Sequence, residues 1–474
     1  MKILLINPHY YLVKKITSFE RFFTPIPILG LAYLASVLKN NGNDVHIIDD
    51  YVDRFGVNGI IKYIEQDNPD IIGISCLTPY ADDTYYLSKK IKEKFPDKFI
   101  IMGNKHADYY ANEIVSERIA DIVIHGEGEN TIVDIVNAVR SKNSFSVVKN
   151  ITYSDGLKPI RNLEKNTVDN LDTIPYPAWE LLKLDAYFPG ATVSTGGHKH
   201  LPLLMSRGCP YSCIYCSQEF GNTVRIRSIQ NVIGEIITFY EKFNVDSFVI
   251  CDANFPLNKK YALDFCNTMI NEGLSKKIKW ATETRPDLLD EELVCNMKKA
   301  GCTKILMGFE SGSDRILNVL NKKFSTEDSK SAVKLLNKFS VSVNGLFVIG
   351  NPTETKDEIK KTINFSKKLG IDYAKFNLFV PYPGTPAFEN LEIRSRINAK
   401  NFRYFYSYPD NYDLVVYTPE GIDKEELLRL QRYAFLRFYF RPSMIIKQII
   451  KLRYMKIKEY FDGFIYLIQT IFKI

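Results

Sequence analysis

Two series of apolar runs alternate with helical patterns along this chain, and this alternation constrains the fold more than any other feature. In the first series, five runs have the length and composition of buried parallel strands, at Lys2–Asn7, Asp44–Asp49, 71–77, 99–103 and 122–125. Helical patterns lie between them, for example at 30–38, 85–94 and 130–140. The spacing predicts a doubly wound parallel sheet of about five strands, which binds ligands at its C-terminal strand ends.

A second alternating series begins near His200 and predicts a second sheet. Its six candidate strands lie at 201–206, 247–251, 278–282, 304–309, 342–349 and 373–379. Helical patterns fit between them, for example at 232–243, 259–272, 290–300 and 356–369. Six βα units joined by right-handed crossovers predict an open barrel, and its site would lie at the C-terminal ends of the strands.

The length of 474 residues exceeds what one hydrophobic core supports, so several domains are expected. We predict an α/β chain with a sheet domain over 1–145, a linker over 146–195, a partial barrel over 196–390 and a helical cap over 391–474. The linker interval is weakly patterned, rich in Asp, Asn and Pro, and contains the segment IPYPAW.

Three of the eight cysteines lie together directly after the first predicted barrel strand. Cys209, Cys213 and Cys216 have the spacing Cys-x3-Cys-x2-Cys within SRGCPYSCIYCSQ. Three thiolates on one loop can hold three irons of a cubane cluster and leave the fourth iron open, as a substrate-binding metal centre requires. Closed electron-transfer clusters use four cysteines instead. A zinc site completed by His198 or His200 is the alternative that the residues themselves allow.

The other five cysteines are scattered, which does not suit the dense disulfide framework of a secreted domain. The N-terminus MKILLINPHYY lacks the basic region and cleavage site of a signal peptide. A cytoplasmic protein is therefore expected.

Residues 200–390 resemble the radical S-adenosylmethionine (SAM) superfamily, whose hallmark is Cys-x3-Cys-x-aromatic-Cys, with Tyr215 as the aromatic residue here. The resemblance implies a 4Fe–4S cluster on the three cysteines, with an open iron that chelates the amino and carboxylate groups of SAM. In that family the reduced cluster cleaves SAM to a 5′-deoxyadenosyl radical, which abstracts hydrogen from the substrate. Further segments match in the family's order, namely CDANF, TETR, GFESG, GLFVIGNP and PYPGTP.

The same resemblance places contacts to SAM at the C-terminal strand ends. Asp252 is expected to accept a hydrogen bond from the amino group of SAM. Glu283 suits the ribose hydroxyls, and Arg285 suits a carboxylate. The complete predicted set of SAM contacts is Tyr215, Asp252, Asn254, Glu283, Arg285, Glu310 and Gly350.

Residues 1–145 resemble the cobalamin-binding domain that precedes the barrel in the largest branch of this superfamily. The segments that carry the resemblance are KILLINP, DIIGISCLTPY, IIMGNKHA and DIVIHGEGENTI. A flavodoxin-like sheet that binds another nucleotide, or nothing, is the alternative. The resemblance places cobalamin contacts at Pro8, Thr78, Pro79, Gly103, Asn104, His106, Gly126, Glu127, Gly128 and Glu129.

Cobalamin is expected to bind without a histidine ligand, with its dimethylbenzimidazole base displaced, as is common in the radical SAM branch. Asp44-Val45-His46 matches part of the histidine-ligand motif Asp-x-His-x-x-Gly, but it lacks the glycine and lies inside the second strand. We therefore expect His46 to be a structural strand residue. The segment Asn104-Lys105-His106 replaces the family's more usual Gly-Pro-His, so His106 is either a loop residue or a cofactor contact.

The net charge of +7 is confined to the C-terminal tail. From Lys424 to the end there are eleven Lys and Arg against four Asp and Glu, and the rest of the chain has 51 of each. Apolar and basic residues at helical spacing predict two helices, separated at Arg441-Pro442. These helices would either cap the open barrel or contact anionic lipid at a membrane surface.

The chain contains no apolar stretch long enough to span a membrane and no recognised nucleic-acid-binding module, so neither role is expected. The combined resemblance predicts a cobalamin-dependent radical SAM enzyme that methylates an unactivated carbon of a hydrophobic, lipid-like small molecule. SAM would supply both the methyl group and the radical, and ferredoxin or flavodoxin would supply electrons. One alternative is the same architecture with cyclising, ring-contracting or oxidising chemistry. The other is a non-catalytic metal-binding protein.

Overall fold

The computed structural model describes residues 1–12, 26–156, 158–162, 164–187, 195–218, 220–442 and 444. Within them the chain forms two large sheets with helices packed against both, which confirms the predicted α/β class. The two sheets follow one another along the chain, as the two alternating series predict.

The first sheet has seven strands, and the first five run parallel as the buried apolar runs predict. The strands are β1 (Lys2–Asn7), β2 (Asp44–Asp49), β3 (Ile71–Ser75), β4 (Phe99–Gly103), β5 (Ile122–Ile124), β6 (Ile151–Ser154) and β7 (Pro159–Asn162). Their order is β2-β1-β3-β4-β5-β6-β7. Because β1 pairs with both β2 and β3, successive connections leave β1 in opposite directions, and a crevice is expected at the C-terminal ends of β1 and β3.

Helices cover both faces of this sheet, because its central strands are apolar on both sides. Leu4 and Ile6 of β1 pack into one core, whereas Ile3 and Leu5 pack into the core on the opposite face. The helices are α1 (Leu29–Asn40), α2 (Asp50–Asp53), α3 (Gly56–Asp67), α4 (Ala81–Lys94), α5 (Lys105–Tyr109), α6 (Ala111–Ser116) and α7 (Glu129–Ser141).

The interval predicted as a linker begins with regular structure instead. Strands β6 and β7 form an antiparallel hairpin that extends the first sheet beyond residue 145. Each strand has only four residues and carries polar side chains, such as Arg161, so neither gives the apolar signal of a buried strand. Farther along, Trp179 is 1% exposed and packs in the core of the second sheet. The interval therefore joins the two sheets by packing against both.

The second sheet has six parallel strands and is open between its two ends, as predicted. Its strands and two short accessory strands are β8 (His200–Leu203), β9 (Ser206–Arg207), β10 (Arg225–Ile226), β11 (Ser247–Ile250), β12 (Lys279–Thr284), β13 (Cys302–Glu310), β14 (Ser342–Ile349) and β15 (Tyr373–Leu378). The parallel order is β15-β14-β13-β12-β11-β8, while β9 and β10 pair only with each other.

Helices of the βα units cover the outer face of this sheet, where Phe248, Trp280 and Phe309 are fully buried. They are α8 (Ile229–Phe243), α9 (Lys259–Asn271), α10 (Leu274–Lys277), α11 (Glu291–Lys299), α12 (Asp314–Val319), α13 (Thr326–Lys338) and α14 (Lys356–Lys368). Two short helices follow the last strand, α15 (Pro386–Glu389) and α16 (Leu391–Ser395).

Helix α17 (Lys424–Tyr439) is the first of the two predicted tail helices, and it covers the outer edge of β15. Its Gln431 side chain donates a hydrogen bond to the Phe376 carbonyl at 2.7 Å, and the Tyr439 hydroxyl donates to the Ala374 carbonyl at 2.9 Å. These contacts occupy backbone groups that an edge strand otherwise offers to another chain. The second predicted tail helix lies outside the described residues.

Among the described residues, no helix is long and apolar enough to cross a membrane.

Candidate active site

The three cysteines lie on a loop of residues 208–224, the cysteine loop, whose two stems are β9 and β10. The stems pair in antiparallel register, with Arg207 opposite Arg225. Gly208 starts the loop with a φ of +92°, and a Cβ there would lie 2.1 Å from the Thr223 carbonyl oxygen. Cys209 N–H donates to the Gly221 carbonyl at 3.0 Å. The close approach of the two stems therefore requires glycine at position 208.

The thiols differ in exposure: Cys213 is buried, Cys209 is half-buried and Cys216 is exposed. Cys216 N–H donates to the Cys213 carbonyl at 3.2 Å, and the Asn254 amide donates to the Cys209 sulfur at 3.4 Å. Among the described residues, no three His, Cys, Asp or Glu side chains are gathered in metal-binding geometry. The fit to an iron–sulfur cluster therefore rests on the type of donor and on the charges around the loop.

Two cations favour the deprotonated thiolate that a metal ligand must be. Burial, together with Glu310, raises the pKa of the Cys213 thiol overall, and Lys322 and Arg285 oppose this rise. The Lys322 ammonium is 3.0 Å from the Glu310 carboxylate and donates to the Tyr215 hydroxyl at 3.0 Å. Tyr215, the aromatic residue of the cysteine motif, thus bonds to the segment that follows the barrel strand β13.

Arg285 supports the cysteine loop from the end of β12. Its guanidinium lies 3.6 Å from the centre of the Tyr211 ring and pairs with Asp287 at 2.9 Å. It also donates to the Lys322 carbonyl at 2.6 Å. The pairing of Arg285 with a carboxylate of SAM stays a prediction: the Nη1 atom of its guanidinium is buried and has no hydrogen-bond partner among the described residues.

Asp252 is likewise engaged within the protein. It is 4% exposed, and its two oxygens accept hydrogen bonds from Met205 N–H and from the Ser206 hydroxyl, both at 2.7 Å. Burial raises the pKa of this carboxyl to about 6, against the effect of these hydrogen bonds. Asp252 therefore ties the end of β11 to the segment that leads into the cysteine loop.

Glu283 is the member of the predicted SAM set that is both acidic and accessible to water. Its neighbours Thr282 and Thr284 on β12 are buried on the opposite side of the strand. Burial by the surrounding protein still raises the pKa of the Glu283 carboxyl, while Lys375 lowers it. The carboxyl thus faces a water-accessible space, and the positive charge of Lys375 acts on it there.

Glu310 and Gly350 both have left-handed backbone conformations, at φ +59° and +77°. The pairing of β13 with β14 shifts register between Gly308 and Glu310. A Cβ at Gly308 would lie 2.5 Å from the Glu310 carboxylate, so glycine makes room for this side chain. A Cβ at Gly350 would lie 2.8 Å from Leu427 of α17. A non-glycine residue in the strained conformation of Glu310 is typical of functional sites.

The first sheet has a cleft at the ends of β1 and β3, where the strand order predicts a ligand. Its volume is about 110 Å³. Pro8 lines this cleft as predicted, and the sequence pattern does not single out the other lining residues, which are Asn7, Tyr51, Ser75, Leu77 and Tyr80. Four of these five lie within two positions of a predicted strand end, which is the signal that could have identified them.

His106 lies behind this cleft and is fully buried. Its ring nitrogens are 3.2 Å from the Thr78 hydroxyl and 2.9 Å from the Tyr85 hydroxyl, and burial lowers its pKa to about 3. His106 is therefore neutral at pH 7 and orients Thr78. The Asn104 amide donates to the Ser75 hydroxyl at 3.3 Å. The remaining predicted contacts nearby are Pro79, in the turn after β3, and Gly103, the last residue of β4.

The predicted contacts Gly126–Glu129, hereafter the GEGE turn, are not among the residues that line this cleft, and its glutamates contact the stems of the cysteine loop. The Glu127 carboxylate bonds to Arg225 and lies 3.0 Å from Arg207, while Glu129 lies 2.5 Å from Arg207. The sequence pattern singles out neither arginine, although Arg207 lies two residues before Cys209. We call these four side chains the clamp.

The clamp is buried, with side-chain exposures of 3% for Glu127 and Arg207, 8% for Glu129 and 13% for Arg225. Burial opposes ionisation of Glu127, but Arg225 and Arg207 outweigh it and hold the carboxyl pKa below its ordinary value. The carboxylate therefore stays charged at neutral pH. Its stabilising contribution is lost only as the pH falls through that lowered pKa.

The chain matches known families and proteins along almost its whole length. Residues 203–366 match the family model of the Radical SAM superfamily, and residues 21–136 match that of the B12 binding domain. The chain is 33% identical to "Uncharacterized methyltransferase PH0819" of Pyrococcus horikoshii over 455 residues, which is 95% of each protein.

Two further likenesses extend the comparison. The chain is 26% identical to the anaerobic magnesium-protoporphyrin IX monomethyl ester cyclase of Cereibacter sphaeroides, over 94% of this chain and 71% of the cyclase. Its fold is similar to that of TsrM, a radical S-adenosylmethionine methyltransferase from Kitasatospora setae, with a TM-score of 0.70 and 15% identity. That likeness covers 93% of this chain and 90% of TsrM.

Replacement of Gly208 by alanine is expected to lower the iron content after anaerobic reconstitution by about tenfold, because the new Cβ prevents the stems from closing. Gly221→Ala is the matched control, since Gly221 lies in the same loop at φ +73° and an added methyl group there meets no described atom within 4 Å. Iron and labile sulfide are measured per protein. Equal losses in the two variants would contradict the role given to the close approach at Gly208.

Proposed function

Because this chain belongs to the radical SAM enzymes with a B12-binding domain, and so uses a 4Fe–4S cluster, SAM and cobalamin, we propose that it methylates an unactivated carbon of a hydrophobic small molecule. One observation carries the proposal: the stems of the cysteine loop are bonded directly to the cobalamin-type sheet through Glu127. A radical-generating loop and a methyl-carrying domain therefore adjoin in one molecule.

Cys209, Cys213 and Cys216 would hold the cluster, and when bound it supplies the electron that cleaves SAM. Glu283 suits the ribose because it is the acidic side chain accessible at the strand ends. Asn254 and Glu310 adjoin the loop through Cys209 and Tyr215. The other predicted SAM residues would position their neighbours. Asp252 and Arg285 bond to the cysteine loop or the segment before it, and Gly350 leaves room for Leu427 of α17. A low-potential ferredoxin or flavodoxin would supply the electrons.

Cobalamin would bind over the cleft of the first sheet, with Pro8, Thr78, Pro79, Gly103 and Asn104 at the strand ends around it. We propose that no histidine ligates the cobalt. His106 is held by two hydroxyls, and His46 on β2 lies 2.5 Å from the Tyr63 hydroxyl. Both imidazoles thus have partners within the protein.

The hydrophobic nature of the substrate is inferred from aromatic side chains between the cleft and the barrel rim. Tyr80 stacks on Tyr10 at 4.4 Å between ring centres. Burial, with a smaller contribution from Tyr80, raises the pKa of Tyr382 to about 12. Because Tyr80 follows β3 and Tyr382 follows β15, aromatic groups from both sheets share this space. Such a lining favours an apolar or lipid-like substrate.

The radical chemistry is tested with anaerobically reconstituted protein, SAM and a chemical reductant. Cys213→Ala is expected to reduce 5′-deoxyadenosine formation to about 1% of the wild-type rate or less, because one ligand of the cluster is lost. Cys295→Ala removes a thiol outside the loop, on α11, and should leave the rate unchanged. Equal rates in all three proteins would contradict cluster binding by this loop.

Methylation is tested with SAM that carries a deuterated methyl group, in an extract of cells that lack the gene. A metabolite that gains one labelled carbon supports methyl transfer. A product with two fewer hydrogens and no added carbon would instead support a cyclase, the alternative favoured by the likeness to the magnesium-protoporphyrin cyclase.

The absence of a histidine ligand is tested by EPR of the bound cob(II)alamin form. We expect no nitrogen hyperfine splitting from the lower face. Observed splitting that disappears in His46→Ala or His106→Ala would overturn this assignment and identify the ligand.

A peripheral membrane contact is proposed for the basic tail. A protein that stops after residue 442 keeps α17 and should retain 5′-deoxyadenosine formation. It should lose co-sedimentation with anionic phosphatidylglycerol vesicles, because six of the tail's eleven basic residues follow Pro442. Neutral phosphatidylcholine vesicles serve as the control. Unchanged sedimentation of the shortened protein would contradict the membrane contact.

A further inference from the structure

We propose that the clamp positions the cysteine loop against the cobalamin-binding sheet, and that Glu127 and Glu129 are positioning residues rather than cofactor contacts. The inference deepens the proposed function and rests on it, since it takes the loop as the site of the cluster. It assigns the GEGE turn a role in the alignment of two cofactor sites.

The arginines of the clamp stand at both ends of the cysteine loop. Arg207 directly precedes the loop, Arg225 directly follows it, and the two residues are paired across the stems. Both guanidiniums reach the same carboxylate, that of Glu127. One side chain of the first sheet therefore fixes both ends of the loop at once, and a shift of the GEGE turn moves the whole loop.

The GEGE turn is itself held in place. Gly126 has a φ of +58°, and a Cβ at Gly128 would lie 3.1 Å from Leu34 of α1. The Val168 N–H donates to Glu127 at 3.3 Å, while Arg225 donates to the Val168 carbonyl at 2.5 Å. The turn and the segment between the sheets thus hold Glu127 in one orientation.

Aromatic rings restrict Arg207 on further sides. Its guanidinium lies 5.7 Å from the ring of Tyr33, on α1, and 5.0 Å from the ring of Phe220, in the cysteine loop. Cation–π contacts of this kind add to the ion pairs where water is excluded. One ring from helix α1 and one ring from the cysteine loop therefore both restrict the Arg207 guanidinium.

The charges of the clamp balance. Two carboxylates meet two guanidiniums, and all four side chains are largely buried. Buried charges are tolerated only with their partners in place, so any displacement of the loop stems relative to the first sheet leaves charge uncompensated. The clamp consequently favours one relative position of the loop and the cobalamin-binding sheet over all neighbouring positions.

The test compares the holoprotein with the double variant Glu127→Gln/Glu129→Gln, which keeps size and removes both charges. We expect iron and cobalt contents close to wild type, but amide hydrogen exchange over residues 206–226 faster by about tenfold or more. The EPR line shape of the reduced cluster with SAM should broaden or split, because the loop takes several positions. 5′-Deoxyadenosine formation should fall by about tenfold.

Glu180→Gln is the matched control, because it weakens a different contact between the helices of the first sheet and the segment that packs against the second sheet, the ion pair of Glu180 with Lys39 of α1. Arg225→Lys should give intermediate exchange, since an ammonium keeps the charge but not the forked geometry. If the double variant does not fold, Arg225→Lys and Glu129→Gln test the same expectation singly.

The proposal is overturned if the folded clamp variants show the exchange rates and EPR spectrum of the control. It is also overturned if they lose cobalamin with no change in the loop, because the glutamates would then be cofactor contacts. Failure of the wild-type protein to form 5′-deoxyadenosine would instead contradict the proposed function. In that case, amide hydrogen exchange would still show whether the clamp restricts the motion of the cysteine loop.

Discussion

The pairing of buried glutamates beside the first sheet with buried arginines on the stems of the cysteine loop is the interaction on which the rest of the site depends. Each of these charges would be unfavourable away from water without its partner. Since the carboxylates follow β5 of the first sheet and the guanidiniums lie on the stems β9 and β10 of the cysteine loop, all four are satisfied only when the loop adjoins the first sheet. The loop between the arginines carries the three cysteines. Ion pairs, as well as apolar packing, therefore determine where the loop lies relative to the first sheet.

Several residues predicted to touch cofactors also make contacts within the protein in this structure. Asp252 accepts hydrogen bonds from the segment before the cysteine loop, and Arg285 holds Tyr211 within it. His106 orients Thr78. A motif in a sequence marks where a site lies, because its residues cluster there. It does not distinguish a side chain that touches the ligand from one that fixes its neighbour.

The strands and helices could be predicted because burial on both faces leaves a local signature, as in β1 and β14. The clamp could not, since Glu127 and Arg225 are separated by 98 positions and no local pattern links them. The shift in register between Gly308 and Glu310 could not be predicted either, because it depends on β14 beside it. The strands of the β6–β7 hairpin have only four residues each, which is too short for an alternating apolar pattern to stand out. Long-range pairing and irregular register are thus what sequence patterns omit.

The cover that α17 gives to β15 has a consequence for the newly made chain. Helix α17 follows every strand of the second sheet, so it leaves the ribosome after all of them. Until then the carbonyls of Ala374 and Phe376 remain open on a finished sheet, and a second nascent chain can pair with them. The pace of translation over the residues between β15 and α17 therefore governs how long this vulnerable edge persists.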